Sequence, residues 1–139
     1  MNNAQNARDF ALQIDRAKLE TDEAVNDVIQ VIATSALSGV VRKSPVDTGR
    51  FRHNWITSKN TPSTQIKQGT ANDAIASGST QIQAFDYKRD DAIIIQNNLP
   101  YANRLENGWS KQAPSGMVGL TVNEISHQYS NVLVRLKSS

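Results

Sequence analysis

Cysteine is absent from this 139-residue chain. No disulfide framework, thiolate zinc site or cysteine nucleophile can therefore be built, which suits folding in a reducing cytoplasm. Histidine occurs only at His53 and His127. A histidine-rich metal site is excluded, and no metal or cofactor is expected. Charged residues make up 20% and hydrophobic ones 38%; the rest is rich in Asn, Gln, Ser and Thr. Such a chain is polar without being charged enough to read as disordered. The net charge of +2 is small for a dedicated nucleic-acid binder. No apolar run approaches the ~18 residues of a membrane span, so no membrane partner is expected. The opening MNNAQNARDF lacks the basic and apolar regions of a signal peptide. Phosphate-cradling glycine loops, nucleophile elbows and metal-ligand spacings are missing too, and no period of 20–50 residues repeats. What remains has the size of one domain, 1–139.

Proline is scarce where it matters first. The first 44 residues contain none, and their only glycine is Gly39. Apolar or small residues fall at Phe10, Ile14, Ala17, Thr21, Ala24, Val28, Ile32, Ala36 and Val40, in steps of three and four. That spacing predicts one helical face over residues 7–43, ended by Pro45. A helix of that length spans roughly 55 Å, whereas a compact domain of this size is about 37 Å across. The expectation is a projecting or bent arm, 1–43, with a break near the polar run at 20–23, followed by a core, 44–139. Residues 8–27 carry six acids against three bases, which favours a protein partner for the arm over DNA.

Downstream, residues 44–50 (SPVDTGR) have turn composition. Residues 51–58 (FRHNWITS) have strand character, with Phe51, His53 and Trp55 on one face. Residues 59–79 read as a long polar loop, and 78–88 as a short helix with Ile82 and Phe85 inward. Residues 91–96 (DAIIIQ) predict a buried strand. Pro100 opens a short helix over 101–107 that Gly108 stops. From Met117 onwards the apolar spacing predicts an amphipathic helix to the C-terminus. The expected fold is α+β: a long N-terminal helix, a small, mainly antiparallel sheet, a short helix and a C-terminal helix.

Three segments carry a resemblance: SPVDTGRFRHNW (44–55) directly after the long helix, IIIQNNLPYANRLENGWS (93–110), and QAPSGMVGLTV (112–122). In order and spacing they resemble the neck or tail-completion proteins of long-tailed bacteriophages, over residues 24 to about 125. That resemblance implies a non-enzymatic virion protein, assembled in the host cytoplasm. It would form a ring of its own copies, usually six-fold, at the head–tail interface. There it would cap the tail tube, dock the head connector and let double-stranded DNA pass.

Several side chains stand out as candidates for the subunit interface or the ring lumen. Asp47 and Gly49 build a turn, the aspartate by accepting backbone N–H bonds two residues on. Arg50 and Arg52, at strand spacing, join Arg42 and Lys43 in a basic cluster around Asp47. The alternative function rests on that cluster: a small nucleic-acid-binding accessory domain. Tyr101 is expected to pack on the sheet and Trp55 in the core. Trp109, in a glycine-flanked loop, is an interface candidate. Glu106 is expected to pair with Arg50, Arg52 or Arg104 and not to catalyse, since carboxylate catalysis needs a second group held by geometry. His53 reads as a half-buried structural histidine and His127 as an exposed one.

Overall fold

The computed structural model describes residues 22–46, 49–68, 73–128 and 135–136. Its longest element is helix α1 (Asp22–Lys43), 22 residues long. The stripe seen in the sequence becomes its buried face: Ala24, Val28, Ile32, Ala36 and Val40, joined by Ala33, Leu37 and Val41. These residues of the expected arm are thus the middle of the core. The part predicted upstream, with its break, lies outside the described residues. Contrary to expectation, α1 is long and apolar enough to cross a membrane, with a mean hydropathy of 1.4; most of its apolar side chains pack in the core, while Val31 is exposed.

Three strands form the sheet in the order β1 (Trp55–Lys59), β2 (Ile93–Asn97), β3 (Arg135–Leu136). The β1–β2 pair is antiparallel, with Trp55 opposite Asn97 and Thr57 opposite Ile95. The β2–β3 pair is parallel. Alternation sends Trp55, Thr57, Ile93, Ile95 and Asn97 to one face, and Ile56, Ile94 and Gln96 to the other. Helix α3 (Ala74–Gln83) packs against both α1 and β1, and α5 (Val118–Gln128) packs along α1. The short helices α2 (Arg50–His53) and α4 (Ala102–Glu106) sit at the ends of the strands. The architecture is α+β, with a long helix over a small sheet.

Gly78 explains how closely α3 is seated. A Cβ there would lie 2.3 Å from Leu37 Cδ2 and 2.7 Å from Thr57 Oγ1. A glycine inside a helix costs about 1 kcal/mol of propensity, and the close three-way contact offsets it.

Four elements differ from the sequence reading. Residues 50–53 are a helical turn, and the strand begins only at Trp55. Gly49, at φ 81°, admits the turn, and Asn54 closes it by donating its amide to the Arg50 carbonyl at 2.8 Å. Phe51, His53 and Trp55 therefore do not form one strand face, although all three are buried. Helix α3 starts at Ala74, inside the expected loop, and ends before Phe85, which is nonetheless buried. The second strand is shifted to Ile93–Asn97. Helix α5 ends at Gln128 and does not run to the C-terminus, because β3 joins the sheet at Arg135–Leu136.

Candidate assembly surface

The resembling segments meet at the C-terminal end of α1. Trp55, 1% exposed, donates its indole N–H to Ser44 Oγ at 2.7 Å. Ser44 in turn donates its hydroxyl to the Val40 carbonyl at 2.6 Å. An indole needs such an acceptor when buried, and the end of a helix offers both a hydroxyl and unused carbonyls. Phe51 packs edge-on against Trp55 with ring centroids 5.8 Å apart, and its other neighbour, Tyr101, lies at 6.0 Å. Tyr101 is thus half-buried against Phe51, as its place after Pro100 suggests. Asn97, fully buried, donates to the Phe51 carbonyl at 2.9 Å and accepts from Leu99 N–H at 3.2 Å. The backbone N–H of Val46 donates to Gln112 Oε1 at 2.8 Å. Asp47 lies outside the described residues.

Glu106 departs from the expected ion pair. Its carboxylate accepts from the backbone N–H groups of Met117, Val118 and Gly119 at 3.0, 2.9 and 3.0 Å. These are donors at the start of α5 that no carbonyl of the helix can satisfy. A carboxylate there also meets the positive end of the helix dipole. Gly116, at φ 80°, gives it room: a Cβ at that position would lie 2.3 Å from the Glu106 carbonyl oxygen. The 108–116 loop is fixed in the same manner. Gly108, at φ 87°, lies under the Pro114 carbonyl, which a Cβ would approach to 2.5 Å.

This rigid loop displays Trp109, 73% exposed. Its backbone N–H is anchored on the Arg104 carbonyl at 3.2 Å. The Arg104 guanidinium lies over the indole ring, 5.3 Å from its centroid. Both side chains face solvent, in a mutual arrangement worth about 0.5–1 kcal/mol at such a site. Lys111 is exposed in the same loop.

Three of the expected basic residues, Arg52, Lys43 and Arg42, take separate partners or surfaces. Arg50 and Arg52 sit two residues apart on a helical turn, so they point to different sides. Arg52 turns inward and donates through Nη2 to the Arg42 and Ser44 carbonyls at 3.2 and 3.0 Å. There it caps the C-terminal end of α1. Lys43 pairs with Glu124 at 3.0 Å. Arg42 is exposed and lines an open groove between α1 and α5 with Thr34, Ser38, Leu120 and His127.

The long polar segment after β1 is held by side-chain amides. Asn54, fully buried, accepts from Lys67 N–H at 2.7 Å and donates to the Lys67 carbonyl at 3.2 Å. Gln96 accepts from Ser63 N–H at 2.8 Å, while Asn98 donates to the Ser63 and Gln65 carbonyls, each at 2.9 Å. A strap over 63–67 is thereby tied to the sheet face that carries Ile56 and Ile94. Beyond it, His53 Nδ1 lies 2.9 Å from Asp73 Oδ1. The same Nδ1 is met by the backbone N–H of Asp73, at 3.3 Å. Burial works against the Asp73 charge, but Lys67 at 3.4 Å and His53 together hold its carboxyl below the usual range.

Asp90 fastens the other end of the hairpin. It accepts from Asp86 N–H at 2.9 Å and from the Asn60 amide at 3.1 Å. Those two bonds, and then the Lys59 and Arg89 charges, lower its pKa against the opposing effect of burial. Asn60 adopts φ 67°, and its side-chain Oδ1 accepts from Asp91 N–H at 2.5 Å and Ala92 N–H at 3.2 Å. A carboxylate with a lowered folded-state pKa contributes stability that is fully present above its unfolded value of about 3.9 and lost as pH falls through the folded value. The urea midpoint is therefore expected to fall as pH drops below about 4. Asp90→Asn should flatten part of that slope and lower the midpoint at neutral pH.

Among the described residues, no group of three or more His, Asp or Glu is placed to hold a metal ion. The carboxylates at 90 and 91 have no contact with Glu106. Sequence reasoning missed the structural roles of Ser44, Asn54, Asn60, Gln96, Asn97 and Asn98. Their one signal is the concentration of amides on either side of the two strands.

Comparison with known proteins gives no further guide: no family model, no curated protein and no solved structure matches this chain.

Proposed function

We propose that this chain is a non-enzymatic structural protein of a long-tailed phage virion. Its copies form a ring at the head–tail interface that completes the tail and leaves a channel for double-stranded DNA. The carrying observation is the junction at the end of α1. The segments behind the resemblance lock one another in place there through Trp55–Ser44, Asn97–Phe51, Gln112–Val46 and Glu106–Met117. The part they leave outside is Trp109, held on a rigid loop. A large aromatic exposed on a fixed backbone is the kind of anchor that dominates protein interfaces. Ring partners would be sister copies, the head connector and the tail tube. The net charge of +2 suits a lumen that must let DNA slide, since each phosphate contact adds salt-sensitive retention.

The nucleic-acid-binding alternative is weakened because Arg52 is spent on helix carbonyls and Lys43 on Glu124. Light scattering on the purified protein, alone and with tail tubes, tests the proposal. The expected result is a defined multimer, formed alone or on the tubes. A persistent monomer that binds duplex DNA tightly at physiological salt would overturn it.

A further inference from the structure

Helix α1 gives the molecule two ends. Its 22 residues separate them by about 33 Å. The C-terminal end carries the Trp109 loop and the exposed cations Arg42, Arg104 and Lys111. Among the described residues the acids there are engaged: Glu106 by three backbone N–H groups, Glu124 by Lys43. The N-terminal end of α1 lies beside the 86–91 turn, through Asn26, which accepts from Tyr87 N–H at 2.8 Å and donates to Asp86 at 3.3 Å. Exposed acids gather at this end: Glu23, Asp27 and Asp91, with Asp86 half-buried. Among the described residues its cations are Lys59, Lys88 and Arg89, of which Lys59 and Arg89 face the Asp90 carboxylate at 3.6 and 3.9 Å.

We infer that the Trp109 end of one copy docks on the acidic N-terminal end of α1 in the next copy. This inference rests on the ring reading and names the surfaces that would build it. Charge favours a second copy as the occupant, because the molecule carries at one end the sign that complements the other. Duplex DNA fits Trp109 poorly: an indole stacks on unpaired bases, and a duplex offers none along its length. The separation of the ends matters as well. One copy cannot satisfy its own surfaces, and the ring reading makes the contact between copies head-to-tail, that is heterologous. Each added copy presents one unused end of each kind until a ring closes.

Complementary blocking variants test this on the full-length chain. Trp109→Ala removes the aromatic end, and Glu23→Lys with Asp91→Lys reverses the acidic end. Each variant alone is expected to lose self-association, roughly thirty-fold for the tryptophan if it is a hot spot. Melting temperatures should stay near wild type, since these side chains are exposed. Lys111→Glu serves as a second variant of the aromatic end. Mixed one to one, the two blocked chains should form a heterodimer and nothing larger, because each retains one working end. Sedimentation velocity reads all of these outcomes, and association of the wild type should weaken as salt is raised. If the wild type forms multimers and Trp109→Ala forms the same ones, the docking inference falls and the ring stands. Closed multimers from the mixed variants, or no dimer, also overturn it. A wild type that stays monomeric both alone at its highest soluble concentration and in the presence of tail tubes removes both.

Discussion

Replacing Trp55 by alanine is expected to destabilise the protein by about 3–5 kcal/mol, the range for a large aromatic removed from a packed core. The side chain is 1% exposed and touches Phe51 edge-on. Its loss opens a cavity at the point where α1, α2 and β1 converge. Total stability of a domain is about 5–15 kcal/mol, so the variant should be marginal or unfolded at 37 °C. Two milder changes separate packing from hydrogen bonding. Trp55→Phe keeps most of the volume and loses the indole donor. Ser44→Ala keeps the indole and strands its N–H, which should cost about 1–3 kcal/mol. Urea unfolding of the three variants reads the order Trp55→Ala worst, the other two milder. A wild-type midpoint for Ser44→Ala would show that the indole finds another acceptor.

The second large effect is at Glu106. Its carboxylate serves three backbone donors at the start of α5. Alanine there should lower stability by about 2–3 kcal/mol, at or above the upper end for a lost helix cap, because charged acceptors contribute more per bond. For a domain of this size that corresponds to a fall in melting temperature of roughly 10 °C. Glu106→Gln retains an acceptor oxygen and loses the charge, so it should fall between wild type and alanine. Gly116→Ala attacks the same joint from the other side. It asks a residue with a Cβ to hold φ 80°, 2.3 Å from the Glu106 carbonyl oxygen. Its loss should be similar or larger, and the double variant should lose less than the sum, since both changes break one contact. Amide hydrogen exchange at 117–119 gives a local reading: protection should drop in Glu106→Ala before the rest of the core loosens.

Much of the fold could be read from residue spacing. The buried stripe of α1, the Pro45 stop, the isoleucine strand, the Pro100 start and the Gly108 stop are all local features. Each depends on backbone preference or on a period, and those are properties of a few adjacent residues. The turn at 50–53 was not legible. FRHN alternates well enough to pass for a strand, and what makes it helical is the Asn54 amide folding back on Arg50 beside a glycine at positive φ. The parallel strand at Arg135–Leu136 was hidden for a different reason. Two residues carry no pattern, and the strand exists because β2 offers it an edge.

The candidate surface divides along the same line. Trp109 was singled out from its glycine-flanked loop, and it is exposed as an interface residue would be. Glu106 was expected beside an arginine and instead caps a helix that starts twelve residues later in the chain. Arg50, Arg52, Arg42 and Lys43 look like one patch in a linear string. In space Arg52, Lys43 and Arg42 are divided among a helix end, a salt bridge and an open groove.

From residues alone came the long helix, the isoleucine strand, the amphipathic faces, and the exclusion of thiol chemistry and of a histidine-rich metal site. All of these follow from composition or from short-range sterics. Tertiary structure alone decided which polar groups are spent inside the molecule and which remain at its surface. A carboxylate, an amide or a guanidinium binds whatever complementary group the folded chain brings within about 3 Å, and that neighbour is chosen by packing of distant segments.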